Sequence, residues 1–344
     1  MTEAVAPSFS VSRLETRQGQ RLYTLSLRAF EQLRVNVFLM VEGDPAQPSY
    51  TALIDTGSAL EFCTAGLLAD LEAVRRDYGE AWSWDTLSRI VITHPHPDHV
   101  AGLPFVRERT AAPIAAHALA VPAIEHPEQR QQQAAALTEQ IIRELGVPEH
   151  DSFGTAERLR RRGQKQMLPC GIPVQTALQD GDGLDDRWTV LYTPGHEGAQ
   201  ICLRLGEVLL SADHLLPRNS PPLQPAWLWA GHGLTHYLAS LDHIERLEGV
   251  EVALGGHDEP MPHWRERIAA LRQRYAQRGL ELLAQAGTPR SAYELTLALH
   301  PRLRPLQALL LLDQTASLAE HLALTGQLDE GRGAGGVRLY QTRS

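Results

Sequence analysis

The chain has few cysteines and no long apolar run. Its 344 residues include only Cys63, Cys170 and Cys202, at wide spacing and without a Cys-x-x-Cys pair. This pattern excludes a disulfide framework and favours a reducing compartment. No run approaches the roughly 20 apolar residues that span a bilayer, and the N-terminus lacks the apolar core of a signal peptide. We therefore expect a cytoplasmic protein with no membrane partner.

An excess of positive charge is also missing. The net charge is −9, which argues against a general nucleic-acid binder because phosphate contacts need concentrated Lys and Arg. Hydrophobic residues make up 43% and charged residues 21%, as in ordinary globular proteins. The length allows a large domain and a small one.

Short apolar runs separated by turn residues dominate the first two thirds of the chain. They predict a helix at about 64–78 and strands at 35–41, 52–54, 89–93, 188–192, 201–205, 207–211 and 250–254. Between them, the composition shifts to Gln, Ala, Glu, Arg and Leu with helical periodicity. We interpret this part, about 121–170, as a helical insertion.

Towards the C-terminus the pattern becomes helical again. Apolar residues recur at helical spacing over 264–282, and Ser291 with Glu294 forms a capping-box signature for a second helix. A third helix is predicted at about 315–325. The final QLDEGRGAGGVRLYQT predicts two short strands around a Gly-rich turn. This order of elements is typical of a small winged-helix domain.

The most specific feature of the sequence is THPHPDH at 93–99. Proline disfavours the helical region for the residue before it, so His94 and His96 are held in extended backbone. Residues i and i+2 of an extended chain point the same way, and the two imidazoles can therefore bind one metal. Pro97 suits the first position of a helix that would carry Asp98 and His99 towards a second metal.

A solvated polar loop is the alternative interpretation of this cluster. Against it, three later segments repeat one pattern, a short apolar strand, a tight turn and a metal-binding type of side chain. WTVLYTPGH ends at His196, GEVLLSAD ends at Asp213, and VEVALGGH ends at His257. Together with the first motif they supply five histidines and two aspartates, enough for two metals.

These motifs, in this order, resemble those of the metallo-β-lactamase superfamily, and Asp55 in IDTG matches its early Asp-containing turn. The resemblance implies an α+β fold, an αββα sandwich with the site at the sheet edge. The C-terminal layout and the segment HYLASLDHIERLEGVEVALGGHDEP further resemble the subgroup with a winged-helix tail, which includes lactamase-beta-like protein 2. We expect a catalytic domain at 1–262 and a winged-helix-like domain at 263–344.

The resemblance also implies the roles of the site residues. His94, His96 and His196 would hold the first metal; Asp98, His99 and His257 would hold the second; Asp213 would bridge them. Imidazole and carboxylate ligands suit two Zn²⁺ per chain, with Mn²⁺ or Fe as alternatives. One departure from the family pattern is Glu197, where Ser or Thr is common, which puts the hydrogen bonding around His196 in doubt.

We expect a binuclear hydrolase in which a metal-bridging hydroxide attacks a small ester, thioester or lactone. Asp98 is the candidate catalytic residue, orienting the hydroxide or accepting its proton. The first alternative is a single-strand endoribonuclease or other phosphodiesterase of the same fold, and a mononuclear iron dioxygenase is less favoured. A non-catalytic binding protein would be expected to lose ligands, and all seven are present.

Substrate contacts are less clearly marked. Arg158 and Arg161 could bind an anionic group, although an Arg-rich helix face is more often simply solvated. Trp227 and Trp229 could wall an apolar pocket, although tryptophan is as often a packing residue. Three histidines close to the motifs are weaker candidates for contacts with the site: His214, His232 and His236.

The C-terminal region has too balanced a charge for strong phosphate binding. From 288 to 344 it contains six Arg and five Asp or Glu, with no Lys. We expect this region to pack on the catalytic domain or to help form a homodimer. A small-molecule substrate is the expected partner, with RNA as the alternative.

Overall fold

The computed structural model describes residues 11–148, 168–302 and 311–343 of the chain. Its first sheet contains seven strands in sequence order: β1 (Val11–Glu15), β2 (Arg21–Phe30), β3 (Leu33–Asp44), β4 (Gln47–Ile54), β5 (Arg89–Ile92), β6 (Ile114–His117) and β7 (Thr176–Leu178). Neighbouring strands are antiparallel from β1 to β4 and parallel from β4 to β7. The parallel half brings the carboxyl ends of its strands to one edge.

Two further sheets follow along the chain. The second has the order β12-β11-β10-β9-β8, and the third has the order β13-β15-β14. Only β11 and β12 pair in parallel. Their strands are β8 (Gly183–Leu184), β9 (Trp188–Tyr192), β10 (Ile201–Leu205), β11 (Val208–Ala212), β12 (Val252–Gly255), β13 (Arg290–Ser291), β14 (Leu328–Arg332) and β15 (Arg338–Thr342).

Nine α-helices lie within the described residues. They are α1 (Glu61–Tyr78), α2 (Pro97–Val100), α3 (Leu103–Arg107), α4 (Val121–Glu125), α5 (Pro127–Glu144), α6 (Leu234–Glu245), α7 (Trp264–Gln285), α8 (Ala292–Leu299) and α9 (Leu312–Leu324). Short 3₁₀ turns occupy Trp84–Thr86 and Ala334–Gly336. None of the helices described is long and apolar enough to cross a membrane.

The alternating side chains of the central strands build two buried layers. In β3, Phe38 and Met40 face the second sheet, where they join a core with Val190 and Leu203. The intervening residues of β3, such as Leu39, face the other way and pack in the core that includes α1. Because side chains alternate along a strand, one sequence serves both layers. The result is the expected α+β sandwich of two sheets covered by helices.

The strands predicted at 35–41, 52–54 and 188–192 are confirmed, as is the helix near 64–78. The first two strands were not predicted, although Leu25, Leu27 and Ala29 alternate with polar residues in β2. This period of two is the signal that would have revealed the strand.

In the first part of the predicted insertion the helices are confirmed, as α4 and α5, whereas its status as an insertion stays a prediction. Its remainder, 149–167, is outside the described residues. In the C-terminal region the capping box is confirmed, because Ser291 Oγ accepts the Glu294 N–H while Glu294 accepts the Ser291 N–H. The predicted helices and hairpin are also confirmed. The winged-helix interpretation and the boundary at residue 262 stay predictions.

Candidate metal centre

The carboxyl ends of parallel strands from both sheets meet at this site. In the first sheet, Asp55 follows β4 and His94 closely follows β5. In the second, Asp213 follows β11 and His257 closely follows β12. Because the strands of each pair are parallel, the residues that follow them lie at the same edge of their sheet. This arrangement explains the strand-and-turn pattern that recurs in the sequence.

Pro97 of the THPHPDH motif acts as predicted. His96 is extended, with φ −75° and ψ 147°, and stands immediately before α2. Pro97 is the first residue of α2, where its missing N–H removes no helical hydrogen bond. The first turn of α2 then carries Asp98 and His99, both buried, into the site.

Three imidazole nitrogens converge on one side of the site. His96 Nδ1 lies 3.0 Å from His94 Nε2 and 2.9 Å from His196 Nε2. All three nitrogens therefore face a common point, and these residues form a group that could hold a metal ion. The predicted first group is thus brought together by the fold.

The second predicted group lies beside the first. Asp98, His99 and His257 form another group of metal-binding geometry. Asp213 stands between the two groups, with Oδ1 3.3 Å from His99 Nε2 and Oδ2 3.1 Å from His257 Nε2. Its Oδ2 is also 3.5 Å from His196 Nε2 in the first group. Asp213 is therefore positioned to contact both.

Hydrogen bonds hold the outer nitrogens of three histidines. His99 Nδ1 donates to Asp55 Oδ2 at 2.8 Å, and His196 Nδ1 donates to the Pro222 carbonyl at 2.8 Å. His257 Nδ1 donates to the carbonyl of Arg34. In each ring the Nε2 atom is left to face the centre with its lone pair, which is the usual arrangement of a metal-binding histidine.

The interior of the site contains polar atoms that the protein leaves without partners. Among the described residues, His99 Nε2 and Asp213 Oδ1 are buried and make no well-directed hydrogen bond, although the two atoms lie 3.3 Å from each other. Unpaired buried polar atoms are costly, so their presence calls for a missing partner. Burial also lowers the pKa of His94 and His96 well below the usual value, which favours the neutral imidazole, whereas the pKa of His99 is raised because the carboxylates of Asp213 and Asp55 outweigh its burial. The donor set therefore fits metal ions.

Glu197 shows what replaces the common Ser or Thr after His196. Its carboxylate is 2% exposed, accepts the Ala199 N–H at 2.6 Å and pairs with Arg130 Nη2 at 2.7 Å. Burial alone would raise the pKa of Glu197, but Arg130 and His232 lower it below its usual value. Arg130 was not predicted, because the Gln-rich sequence of α5 carries no signal that distinguishes it.

The structure separates the residues proposed for substrate contact. Trp229 and His232 line a cavity beside Glu197. Trp227 instead packs against Arg338, whose guanidinium carbon lies 4.2 Å from the centre of the Trp227 ring. His214 is buried against Tyr237. His236 is exposed. Two further candidates lie outside the described residues: Arg158 and Arg161.

A family model described as the metallo-beta-lactamase superfamily matches residues 31–257, more than half of the chain. The chain belongs to this superfamily. Among curated relatives, the probable metallo-hydrolase YflN of Bacillus subtilis (strain 168) is 25% identical over 233 residues, which is 63% of this chain and 78% of that protein. The superfamily match includes every residue of the two candidate metal groups.

Solved structures extend the likeness to the C-terminal elements. The metallo-beta-lactamase family protein TTHA1429 from Thermus thermophilus has a TM-score of 0.70 and 25% identity, covering 99% of this chain and 100% of that one. A beta-lactamase domain protein from Burkholderia ambifaria has a TM-score of 0.74 and 21% identity, covering 99% and 96%, and shows the fold alone. Superfamily membership, together with the likeness to a probable metallo-hydrolase, identifies this chain as a metal-dependent hydrolase.

Proposed function

We propose that the protein is a binuclear metallohydrolase that acts on a small ester, thioester or lactone. The observation that carries this proposal is the position of Asp213, whose two oxygens lie within 3.5 Å of histidines from both candidate metal groups. A carboxylate in that position suits two neighbouring metal ions. The ligands would be His94, His96 and His196 for one ion, Asp98, His99 and His257 for the other, and Asp213 for both.

Metal ions held by these residues would supply a water of lowered pKa and positive charge to offset the negative charge that develops on the carbonyl oxygen of the substrate. The side chains and carbonyls of the protein orient the reacting groups and the imidazole rings. Asp98 is the proposed proton acceptor, because its Oδ2 lies near the centre, 3.6 Å from His257 Nε2. The bonds from Asp55, Pro222 and Arg34 hold the imidazoles so that no reorientation is needed during turnover.

We propose Zn²⁺ as the metal, since nitrogen and carboxylate ligands suit it, with Mn²⁺ and Fe as alternatives. A mononuclear iron dioxygenase is less favoured, because the residues of the second group are complete and gathered beside the first. We also propose a cytoplasmic location, because the three cysteines form no disulfide and free thiols are typical of a reducing compartment.

A single-strand endoribonuclease is the second candidate function. Against it, the cavity beside the centre offers only one fixed positive charge among the described residues that line it. Backbone recognition of RNA normally uses a series of cationic side chains.

We also propose that the C-terminal elements form a winged-helix-like unit from residue 263 that contacts the rest of the chain or a second copy, rather than nucleic acid.

Elemental analysis of the purified protein, combined with a substrate panel, tests the function. We expect about two zinc ions per chain and turnover of aryl esters, thioesters or lactones. Turnover of single-stranded RNA or phosphodiesters alone would reject the acyl substrate. One iron per chain with oxygen uptake would reject hydrolysis.

A further inference from the structure

The cavity beside Glu197 is the starting point of a further inference. It has a volume of about 280 Å³, close to the lower end of the range for small-molecule sites, roughly 300 Å³. Helices α4 and α5 supply one wall, and the 229–232 segment supplies the other. Since Glu197 directly follows His196, the cavity adjoins the candidate metal centre.

The cavity combines an apolar wall with one ion pair, in which Arg130 is bound to the buried carboxylate of Glu197. Leu119, Pro122 and Trp229 contribute apolar surface. Of the described lining residues, Arg130 alone carries a fixed positive charge, and its side chain is 29% exposed. A ligand in the cavity would therefore meet one guanidinium.

The guanidinium of Arg130 is oriented from two sides. One nitrogen, Nη2, binds Glu197, and the guanidinium carbon lies 5.9 Å from the centre of the Trp229 ring. Within the described residues this is the only hydrogen bond of the Arg130 side chain, which has five N–H donors. The remaining donors are available to an acceptor in the cavity.

We propose that this cavity binds a carboxylate group of the substrate through Arg130. A guanidinium presents parallel N–H donors that match the two oxygens of a carboxylate. A phosphate group carries up to two charges and is usually met by several cations, whereas Arg130 is the one fixed cation among the described residues that line this cavity. The substrate class, an ester or thioester that carries a free carboxylate, rests on the hydrolytic function proposed above, whereas carboxylate binding by Arg130 does not.

Calorimetric titration of the full-length, metal-containing protein with benzoate and benzamide tests the binding. These probes share size and an aromatic ring, and differ in the charged group. We expect benzoate to bind at least about tenfold more tightly than benzamide, and Arg130→Gln to remove this preference. Trp229→Leu should weaken the binding of both probes, because it removes apolar surface, and of benzoate somewhat more, because the indole also flanks the Arg130 guanidinium.

Two further variants separate a specific effect from a loss of folding. Arg130→Lys keeps the charge but loses the paired donors, so the benzoate preference should fall at least about threefold. Arg143→Gln, an exposed residue of the same helix, is the matched control and should leave both affinities unchanged. Equal binding of the two probes by the unmodified protein would overturn the proposal. So would a benzoate preference that survives Arg130→Lys and Arg130→Gln, since the carboxylate would then bind elsewhere, such as at the metals.

The substrate class has its own test. Aryl esters of 4-carboxybenzoate and 4-carbamoylbenzoate differ only in the distal group, and we expect kcat/KM to be at least about tenfold higher for the first. Arg130→Gln should abolish this difference. Equal rates for both esters would reject the carboxylate-bearing substrate. Failure to hydrolyse either ester, with the benzoate preference intact, would reject the hydrolytic function and leave the binding site standing.

Discussion

Asp98 lies in the first turn of α2 with 11% of its side chain exposed, which leaves it at the floor of the candidate centre. We expect Asp98→Asn to retain the fold and to lose about 10²-fold or more in kcat, the usual contribution of a positioned proton acceptor. Steady-state kinetics at measured metal content checks this. Asp186→Asn, at an exposed position, is the control. Unchanged turnover in Asp98→Asn would contradict the proposed role.

Gly256 is required by close packing against the centre. A methyl group there would overlap Asp213 Oδ1 and lie 2.8 Å from His99 Cε1. Gly256→Ala should therefore displace these side chains, at a cost of about 1–3 kcal/mol for overpacking, and lower the metal content measured after dialysis. Gly287→Ala is the matched control, since a methyl group there meets no described atom within 4 Å. Equal metal content in both variants would show that the centre tolerates the displacement.

At the scale of one element, α1 buries a carboxylate without a partner. The Asp70 side chain is fully buried against the first sheet, and neither of its oxygens has a hydrogen bond within the described structure. Burial raises its pKa to about 6. The folded state therefore binds the proton more tightly than the unfolded chain, whose ordinary value is 3.8. Above pH 6 the charge destabilises α1, and this penalty disappears as the pH falls towards 4.

Asp70→Asn removes this titration. Its free energy of unfolding relative to the unmodified protein should therefore be higher at pH 8 than at pH 5, by about 1–2 kcal/mol, since one pKa unit corresponds to about 1.4 kcal/mol. Urea unfolding at the two pH values measures the difference. Glu72→Gln, at an exposed position of the same helix, should show no such change. A pH-independent difference for Asp70→Asn would mean that Asp70 does not titrate in this range.

At the scale of the whole molecule, the C-terminal elements contact the two segments that lead into the walls of the cavity beside Glu197. Arg338 pairs with Glu144 at the end of α5 at 2.8 Å and covers the ring of Trp227. Glu320 of α9 accepts the N–H groups of Ala226 and Trp227. Because α5 carries Arg130 and the Trp227 segment leads into the opposite wall, the C-terminal elements act as a scaffold of the cavity.

Glu320→Ala should therefore loosen the cavity. The variant leaves two partly buried N–H groups without their acceptor, and we expect it to lose about 1–3 kcal/mol of unfolding free energy. Benzoate affinity should fall with it, measured by the same calorimetric titration. Asp329→Asn, which breaks only an exposed ion pair with Arg343, is the control and should change neither quantity. Loss of stability with unchanged benzoate affinity would show that the scaffold does not reach the cavity.

The backbone conformation of the THPHPDH motif could be predicted from the sequence, because it depends only on neighbouring residues. Pro95 and Pro97 restrict their neighbours directly, so the extended His94 and His96 and the helix start could be inferred from seven residues. The strand β2 was missed although Leu25, Leu27 and Ala29 carry the period-of-two alternation of a strand. The unpaired state of Asp70 gave no signal in the sequence, since it depends on what α1 packs against.

The sequence by itself determined the α+β class, the superfamily and the seven candidate ligands, because these depend on short motifs, strand periodicity and the steric limits of proline. Only the tertiary structure decided that Asp213 stands between the two metal groups and that Arg130 pairs with Glu197, 67 residues away along the chain. Such contacts depend on how the insertion, the sheet ends and the C-terminal helices pack together. Local backbone preferences act only between residues that are close in the sequence, so they could not predict the pairing of Arg130 with Glu197. The cavity beside Glu197 depends on that pairing.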